Sequence, residues 1–414
     1  MYKRQVTFNS TNSGSQFHAN LDDAVSGTSA TQFYMWGAQL VKGDQPKDYL
    51  KTTDRLDIPR IDYTNGEPSI LLEPQRQNLY TYSSAFTNIT DFALTVTDNS
   101  TTSPENLTNA TSLVPSTANT THYLTFPNTS TGTVTFSVYA KSNGYNFIFL
   151  HLFDGSNGRA WFNLETGKVG TKDSSVTSQM AAMPNGWYRC SVTRVLSGSL
   201  TQADIAVSNA DNTATFAGDS TSGVFVYGAQ LEVGSYATSL IHTSGSAVTR
   251  SADAANNAGN SDLFNDSEGV LYIETQALVD EADARFISID AGSGQNRVIV
   301  GYNGSASSRI TGYLQSSAGG GMTGHIDNID TTEKHKIAFK YKSNDCSIFI
   351  DGVKRLQNNS VTMPVGLNTL NFTNGITNNG RYKGNLNSIM VFKEALTDLE
   401  LEKLTGYNNH ELYM

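Results

Sequence analysis

Residues 133–142, TVTFSVYAKS, set Val134, Phe136, Val138 and Ala140 against Thr133, Thr135, Ser137 and Tyr139. Alternation of this kind places every second side chain on one side of an extended chain, and an apolar side of that length has to be buried against another layer. The texture continues downstream. NFIFLHLFDGSNGRAWFNLETGKV reads as two or three strands with DGSNG and ETGK as turns, and NGWYRCSVTRVL starts a further strand after an Asn-Gly turn. No segment between about 58 and 250 carries a helical period. Thr, Val, Phe and Tyr recur in short runs cut by Gly, Asn, Asp and Ser, so the expected fold class is all-β. Aromatics at 10% supply the cores that a disordered chain lacks.

Charge and hydropathy remove several function classes. The net charge is −10 and no Lys/Arg cluster is present, so no phosphate-tracking face and no nucleic-acid partner is expected. The longest apolar run, near FIFLHLF, is one strand long, which gives no expectation of membrane insertion. MYKRQVTFNS has no apolar stretch of the secretory type. Cys190 and Cys346 fall in different modules without metal-ligand spacing, and both are expected as ordinary buried residues.

One phrase occurs twice. FYMWGAQLVKGDQPKDYL (33–50) aligns without a gap on VFVYGAQLEVGSYATSLI (224–241), pairing Trp36 with Tyr227, Gly37 with Gly228, Gln39 with Gln230 and Gly43 with Gly234. Residues 6–57 therefore read as the closing part of a module whose full copy spans 58–250. A sandwich without most of its strands has no core. MYKRQ (1–5) resembles a translated sequencing adapter, so the expectation is a reading frame truncated at its start; the alternative is a genuine start followed by a short β-arm. In the phrase itself, Gly228 and Gly234 permit bends or close backbone approach. Gln230 is expected to cap a buried backbone group with its amide. SADAANNAGNSD (251–262) is small and polar and reads as a linker.

SVYAKS, FNLETGKVG, NGWYRCSVT and VYGAQLEVGSYATSLIHTSGSAVTR resemble a jelly-roll module of bacteriophage tail fibres and other appendages. They are also similar to carbohydrate-binding β-sandwich modules, and PSILLEPQRQNLYTYSSAF (68–86) resembles the opening of the same module. In residues 263–414, KIAFKYK, SIFIDG and GNLNSIMVFKEALTDLELEKLTGY resemble a laminin-G-like, concanavalin A-like lectin sandwich. There Ile337, Phe339 and Tyr341 alternate with Lys336, Ala338, Lys340 and Lys342, and Asp351-Gly352 signals a hairpin. Thr397 and Glu400 form a capping box, with Gly406 as the stop. The expected architecture is a jelly-roll β-sandwich (58–250), the linker, and a laminin-G-like sandwich (263–414). A truncated third sandwich precedes them.

The jelly-roll resemblance implies binding or structural modules rather than catalysts; the lectin-like resemblance implies mostly glycan- or protein-binding members, with some relatives glycoside hydrolases and lyases. A sugar presents an apolar C–H face, which aromatic rings stack on, and a rim of hydroxyls, which amides, carboxylates and guanidinium groups pair with. The residues expected to do this are Trp161, Tyr145, His151, Asp154, Asn157 and Arg159, with Trp187 read as core. The nearest approach to a glycosidase carboxylate motif is DEADARF, with Glu281, Asp283 and Arg285; a third carboxylate is missing, and no catalytic residues are expected. No cofactor is required, and structural calcium is compatible with the lectin resemblance. The resulting expectation is a glycan-binding fibre protein, extracellular or on a virion, with polysaccharide and other virion proteins as partners and a homotrimer as its assembly. The alternatives are an accessory region of a polysaccharide-degrading enzyme and a structural decoration.

Overall fold

The computed structural model of the chain describes residues 60–63, 66–376 and 379–406. The first copy of the repeated phrase, the expected remnant sandwich and the adapter-like residues 1–5 lie outside these. The fold class is all-β: antiparallel sheets stack in two sandwiches, of the jelly-roll and laminin-G-like kinds expected, and a single α-helix accompanies them among the described residues.

The first sandwich has two six-stranded sheets. One runs, edge to edge, Lys168–Lys172, Arg159–Asn163, Phe147–Phe153, Gln202–Ser208, His122–Pro127 and Thr90–Phe92. The other runs Val176–Met183, Trp187–Val195, Thr133–Asn143, Gly223–Val233, Thr108–Pro115 and Leu94–Thr102. The alternation read in TVTFSVYAKS is realised: Val134, Phe136, Val138 and Ala140 are fully buried and meet Ile148, Leu150, Leu152, Ile205 and Val207 from the facing sheet. Each buried Val, Leu, Ile or Phe of this set contributes roughly 1.5–3 kcal/mol. Asn185 and Gly186 both take positive φ, 63° and 75°, as the Asn-Gly turn requires.

The second sandwich has a seven-stranded and a five-stranded sheet. Ile337, Phe339 and Tyr341 point into its core. On the other side of the same strand, Ala338 packs with Val270, Tyr272 and Phe349 beneath Leu401 of the helix Asp398–Thr405. That helix carries the Thr397/Glu400 capping box and ends at Gly406, which is extended rather than left-handed. Both cysteines are buried and free.

Strand pairing crosses the expected module boundaries. Arg60–Asp62 and Ser69–Leu72 do not join the first sandwich; Ile70, Leu71 and Leu72 pair with Leu386, Asn385 and Gly384 at the edge of the seven-stranded sheet. The linker expected at 251–262 lies along the second sandwich, where Ala258 and Leu370 exchange backbone hydrogen bonds.

The GAQL phrase is a strand and its exit. Gly223–Val233 runs between two neighbours, and its register slips between Tyr227 and Gln230. Gly228 sits at this bulge with φ 61°, where a Cβ would come within 2.9 Å of both Leu240 and Tyr139, so only glycine fits. Gln230 is fully buried; its Oε1 accepts from the Ile241 amide at 2.6 Å, and its Nε2 donates to Glu232 Oε2 at 2.7 Å and Thr238 O at 3.0 Å. The capping role expected of it is therefore its role. The opening LEPQRQN answers this exit. Asn78 donates to Ala229 O and Ile241 O and accepts from the Leu231 and Tyr80 amides. Glu73, with 3% of its side chain exposed, takes Arg250 at 3.0 Å and also Arg60. The motif is a polar latch that ties the start of the module to its end.

Candidate functional site

The outer side of the sheet containing Phe147–Phe153 gathers aromatic and polar side chains in rows, because cross-strand register brings residues distant in sequence side by side. One row reads Phe92, Tyr123, Ala206, Phe149 and Trp161. The next reads Thr90, Thr125, Asp204, His151 and Arg159, about 7 Å further along the strands. Gln202 and Phe153 begin a third. The inner positions between them hold Leu124, Ile205, Leu150 and Ala160 in the core.

The aromatic row is closed at one end and open at the other. Trp161 is 1% exposed: its indole N–H donates to Thr213 O at 3.4 Å, Phe149 packs on it at 4.8 Å, and the Arg159 guanidinium lies 5.3 Å over its ring. The stacking platform expected at Trp161 is thus covered, because residues 213–214 fold over it. At the other end Phe92 is 49% exposed and lies 5.4 Å from the Tyr123 ring.

The polar row is held by hydrogen bonds but not filled. His151 Nδ1 lies 2.8 Å from Asp204 Oδ2, which also accepts from Gln202 Nε2 at 2.9 Å. The carboxylate fixes the tautomer, with the proton on Nδ1. Asp204 Oδ1 and His151 Nε2 are left without a partner although both are buried. Arg159 is pinned to Asp173 at 3.1 Å, and the Asp173 carboxyl sits below its usual range because these bonds and charges outweigh its desolvation.

The remaining expected residues lie apart from this face. Asp154 and Asn157 are in the turn beyond Phe153. Asp154 is structural: burial alone would raise its carboxyl, but the Ser197 amide and hydroxyl, the Ser156 hydroxyl and the Arg194 charge hold it at about 2. Asn157 is exposed, and its backbone carbonyl accepts from Ser175. Tyr145 lies at the opposite end of Phe147–Phe153, edge-on to Phe216 at 5.2 Å and half-buried, with its hydroxyl pKa raised by that burial. Of the six expected residues, the fold brings together His151, Arg159 and Trp161. Trp187 is buried as expected, its indole donating to Thr102 O at 3.2 Å.

Sequence reasoning missed Phe92, Tyr123, Gln202 and Asp204. The signal was there: QADIAVS alternates Gln202, Asp204, Ala206 and Ser208 against Ala203, Ile205 and Val207. A cavity of about 500 Å³ adjoins this row at the end of the two strands, lined by Pro127, Asn128, Thr129, Ser199, Leu200 and Thr201.

The DEADARF string is a loop wrapped around its own arginine. Arg285 is 2% exposed and donates to the carbonyls of Val279, Glu281 and Asp283 while lying 4.8 Å over Tyr302. Glu281 accepts from Ser235, and Asp283 pairs with Lys383 at 2.8 Å. Among the described residues no three His, Cys, Asp or Glu side chains gather as a metal group, so the described side chains offer calcium no carboxylate cluster. No described helix is long and apolar enough to cross a membrane.

No family model matches the chain and no curated protein matches it. Among solved structures, the CBM40 of the Ruminococcus gnavus IT-sialidase bound to alpha2,3 sialyllactose overlaps 37% of this chain and 94% of its own, at 13% identity and a TM-score of 0.31. Domains LG4-5 of the mouse laminin alpha1 chain overlap 68% of this chain and 90% of their own, at 9% identity and a TM-score of 0.24. At these values the sandwich architecture rests on the strand pairing itself.

Proposed function

We propose that the chain binds saccharides without transforming them, on the outer sheet face of its first sandwich. One observation carries this reading: an exposed Phe92, backed by the half-buried Tyr123, stands beside a polar row in which Asp204 Oδ1 and His151 Nε2 keep unused hydrogen-bonding capacity. A saccharide chain spans the face: one ring stacks its C–H face on Phe92, and the hydroxyls of further rings reach Asp204, His151 and Gln202. Both unpaired atoms lie beneath the surface, so binding includes a small displacement of Gln202. The site runs on into the cavity at Asn128 and Thr201. Against catalysis stands the commitment of Glu281 and Asp283 to structural contacts.

The setting we favour is a fibre or comparable appendage, extracellular or virion-borne. The repeated phrase at 33–50 and 224–241 supports it, because tandem modules suit a protein that gains strength by repetition. Display as a homotrimer alongside other virion proteins belongs to the same proposal. An immobilised glycan array probed with the full chain tests the binding. Retention of at least one polysaccharide class, lost in Phe92→Ala, is expected; silence across neutral and charged glycans refutes it. Release of reducing sugar from any bound polysaccharide would instead support the enzyme-accessory alternative.

A further inference from the structure

A separate cavity of about 530 Å³ opens at one end of the second sandwich. Three loops and one strand start build it. Ser343 and Asn344 come from the turn after His335–Lys342, Ser360 and Thr362 from the segment after Val353–Asn358, and Ser267 precedes Glu268–Gln276. The third loop contributes Gly320, whose φ is 74° and whose missing Cβ would stand 2.7 Å from Thr362 Oγ1. Thr362 donates its amide to Gly320 O at 2.9 Å, so the glycine lets two loops close on one another and fix the wall.

The lining is uncharged. Four hydroxyls and the Asn344 amide ring the opening, and Val361 and Met363 form its apolar part. The acids nearest in sequence are already engaged. Asp266 accepts from the Gly366 and Leu367 amides at 2.7 and 2.9 Å, Asp345 holds Lys340 at 2.9 Å, and Glu268 holds Lys342 at 3.0 Å. A hydroxyl or amide both donates and accepts, so this rim matches a sugar's hydroxyls whichever way they point. The Met363 thioether is soft enough to follow a C–H face. The volume falls within the range of small-ligand sites, about 300–1,000 Å³. An acidic sugar would find no cation in the lining and would be repelled by the net charge of −10.

We infer that this cavity is a second saccharide site, selective for neutral over acidic chains and independent of the sheet face in the first sandwich. The inference rests on the saccharide-binding reading, and it gives that reading a substrate class. Two sites on one chain make long neutral polysaccharides better ligands than short ones through effective concentration.

Methyl-¹³C labelling of the methionines in the full chain tests it, with the Met363 resonance assigned from Met363→Leu. The probes are cellohexaose, maltohexaose, xylohexaose, mannohexaose and chitohexaose, with an oligogalacturonate as the acidic counterpart. At least one neutral probe is expected to shift the Met363 methyl. The shift should survive Phe92→Ala, disappear in Ser343→Trp (an exposed turn position) and be absent with oligogalacturonate. The site is overturned if no neutral probe moves Met363, if oligogalacturonate moves it equally, or if Ser343→Trp leaves the shift intact. Binding at the sheet face with Met363 silent refutes this site alone; a Met363 shift without any effect of Phe92→Ala on overall binding refutes the sheet face alone.

Discussion

Replacing Gln230 tests the claim that the GAQL phrase is a latch rather than a binding site. In Gln230→Ala the Ile241 amide loses its only acceptor, and a buried unsatisfied donor costs about 1–3 kcal/mol. Thr238 O keeps Arg189, at 2.6 Å, and Glu232 keeps the Thr238 amide, so the damage is confined. With the space left behind, the loss is roughly 2–4 kcal/mol. Gln230→Glu preserves shape but puts a second carboxylate against Glu232 and the Thr238 carbonyl, where the amide now donates at 2.7 and 3.0 Å. A buried unpaired charge costs about 3–5 kcal/mol, so at neutral pH this variant should be at least as unstable as the alanine. It should recover in acid, where the protonated side chain again donates. Urea unfolding followed by the fluorescence of Trp161 and Trp187, both in this sandwich and each 1% exposed, measures the difference. A loss under about 1 kcal/mol for alanine, or a wild-type midpoint for glutamate at pH 7, would refute the reasoning.

Gly228→Ala should destabilise by about 1–3 kcal/mol in the same assay, because its positive φ and the nearby Leu240 and Tyr139 side chains leave no room for a Cβ. Asp154 is held at about 2, so its contribution is complete above about pH 4 and fades as pH falls toward 2; thermal unfolding of wild type and Asp154→Asn should converge over that window, and parallel curves would count against the contact set. His335 behaves oppositely. It is partly buried, which alone would lower its pKa, but Asp351 and the Asp330 carbonyl raise it; its contribution is full below about pH 6.5 and is lost as pH rises through the folded value, a trend that should vanish in His335→Gln. Arg285→Met removes the donors to three carbonyls, so residues 279–284 should become a site of limited proteolysis in the variant and not in the wild type.

Much of the fold was legible because its determinants are local. The alternation in TVTFSVYAKS, the Asn185-Gly186 and Asp351-Gly352 turns and the Thr397/Glu400 box each act within a few residues. Gln230 was readable as a cap, but its partners were not. Glu232 and Thr238 are not repeated in the first copy, where Val41 and Lys47 stand at their positions. The module boundary at 58 could not be read, because Ser69–Leu72 pairs with Gly384–Phe392 across more than three hundred residues. The site shows the same division. Residues 151–161 cluster in sequence, yet period two divides them between face, core and turn. Their real neighbours, Phe92, Tyr123 and Asp204, arrive from other strands through the sheet order. Trp161 has the right residue type on the right face, and Thr213 and Ala214, with Phe149 and Arg159, remove it from solvent.

Isothermal titration of the full chain with the polysaccharide best retained on the glycan array, in wild type, Phe92→Ala and Gln202→Ala, is the most direct test of the sheet-face claim. Phe92 is half exposed and the Gln202 side chain makes one hydrogen bond, to Asp204, so both variants should keep the wild-type unfolding midpoint. The account predicts that each weakens binding at the sheet face by roughly tenfold, the equivalent of about 1.4 kcal/mol. Undiminished affinity in both variants, with saccharide still bound, would contradict it.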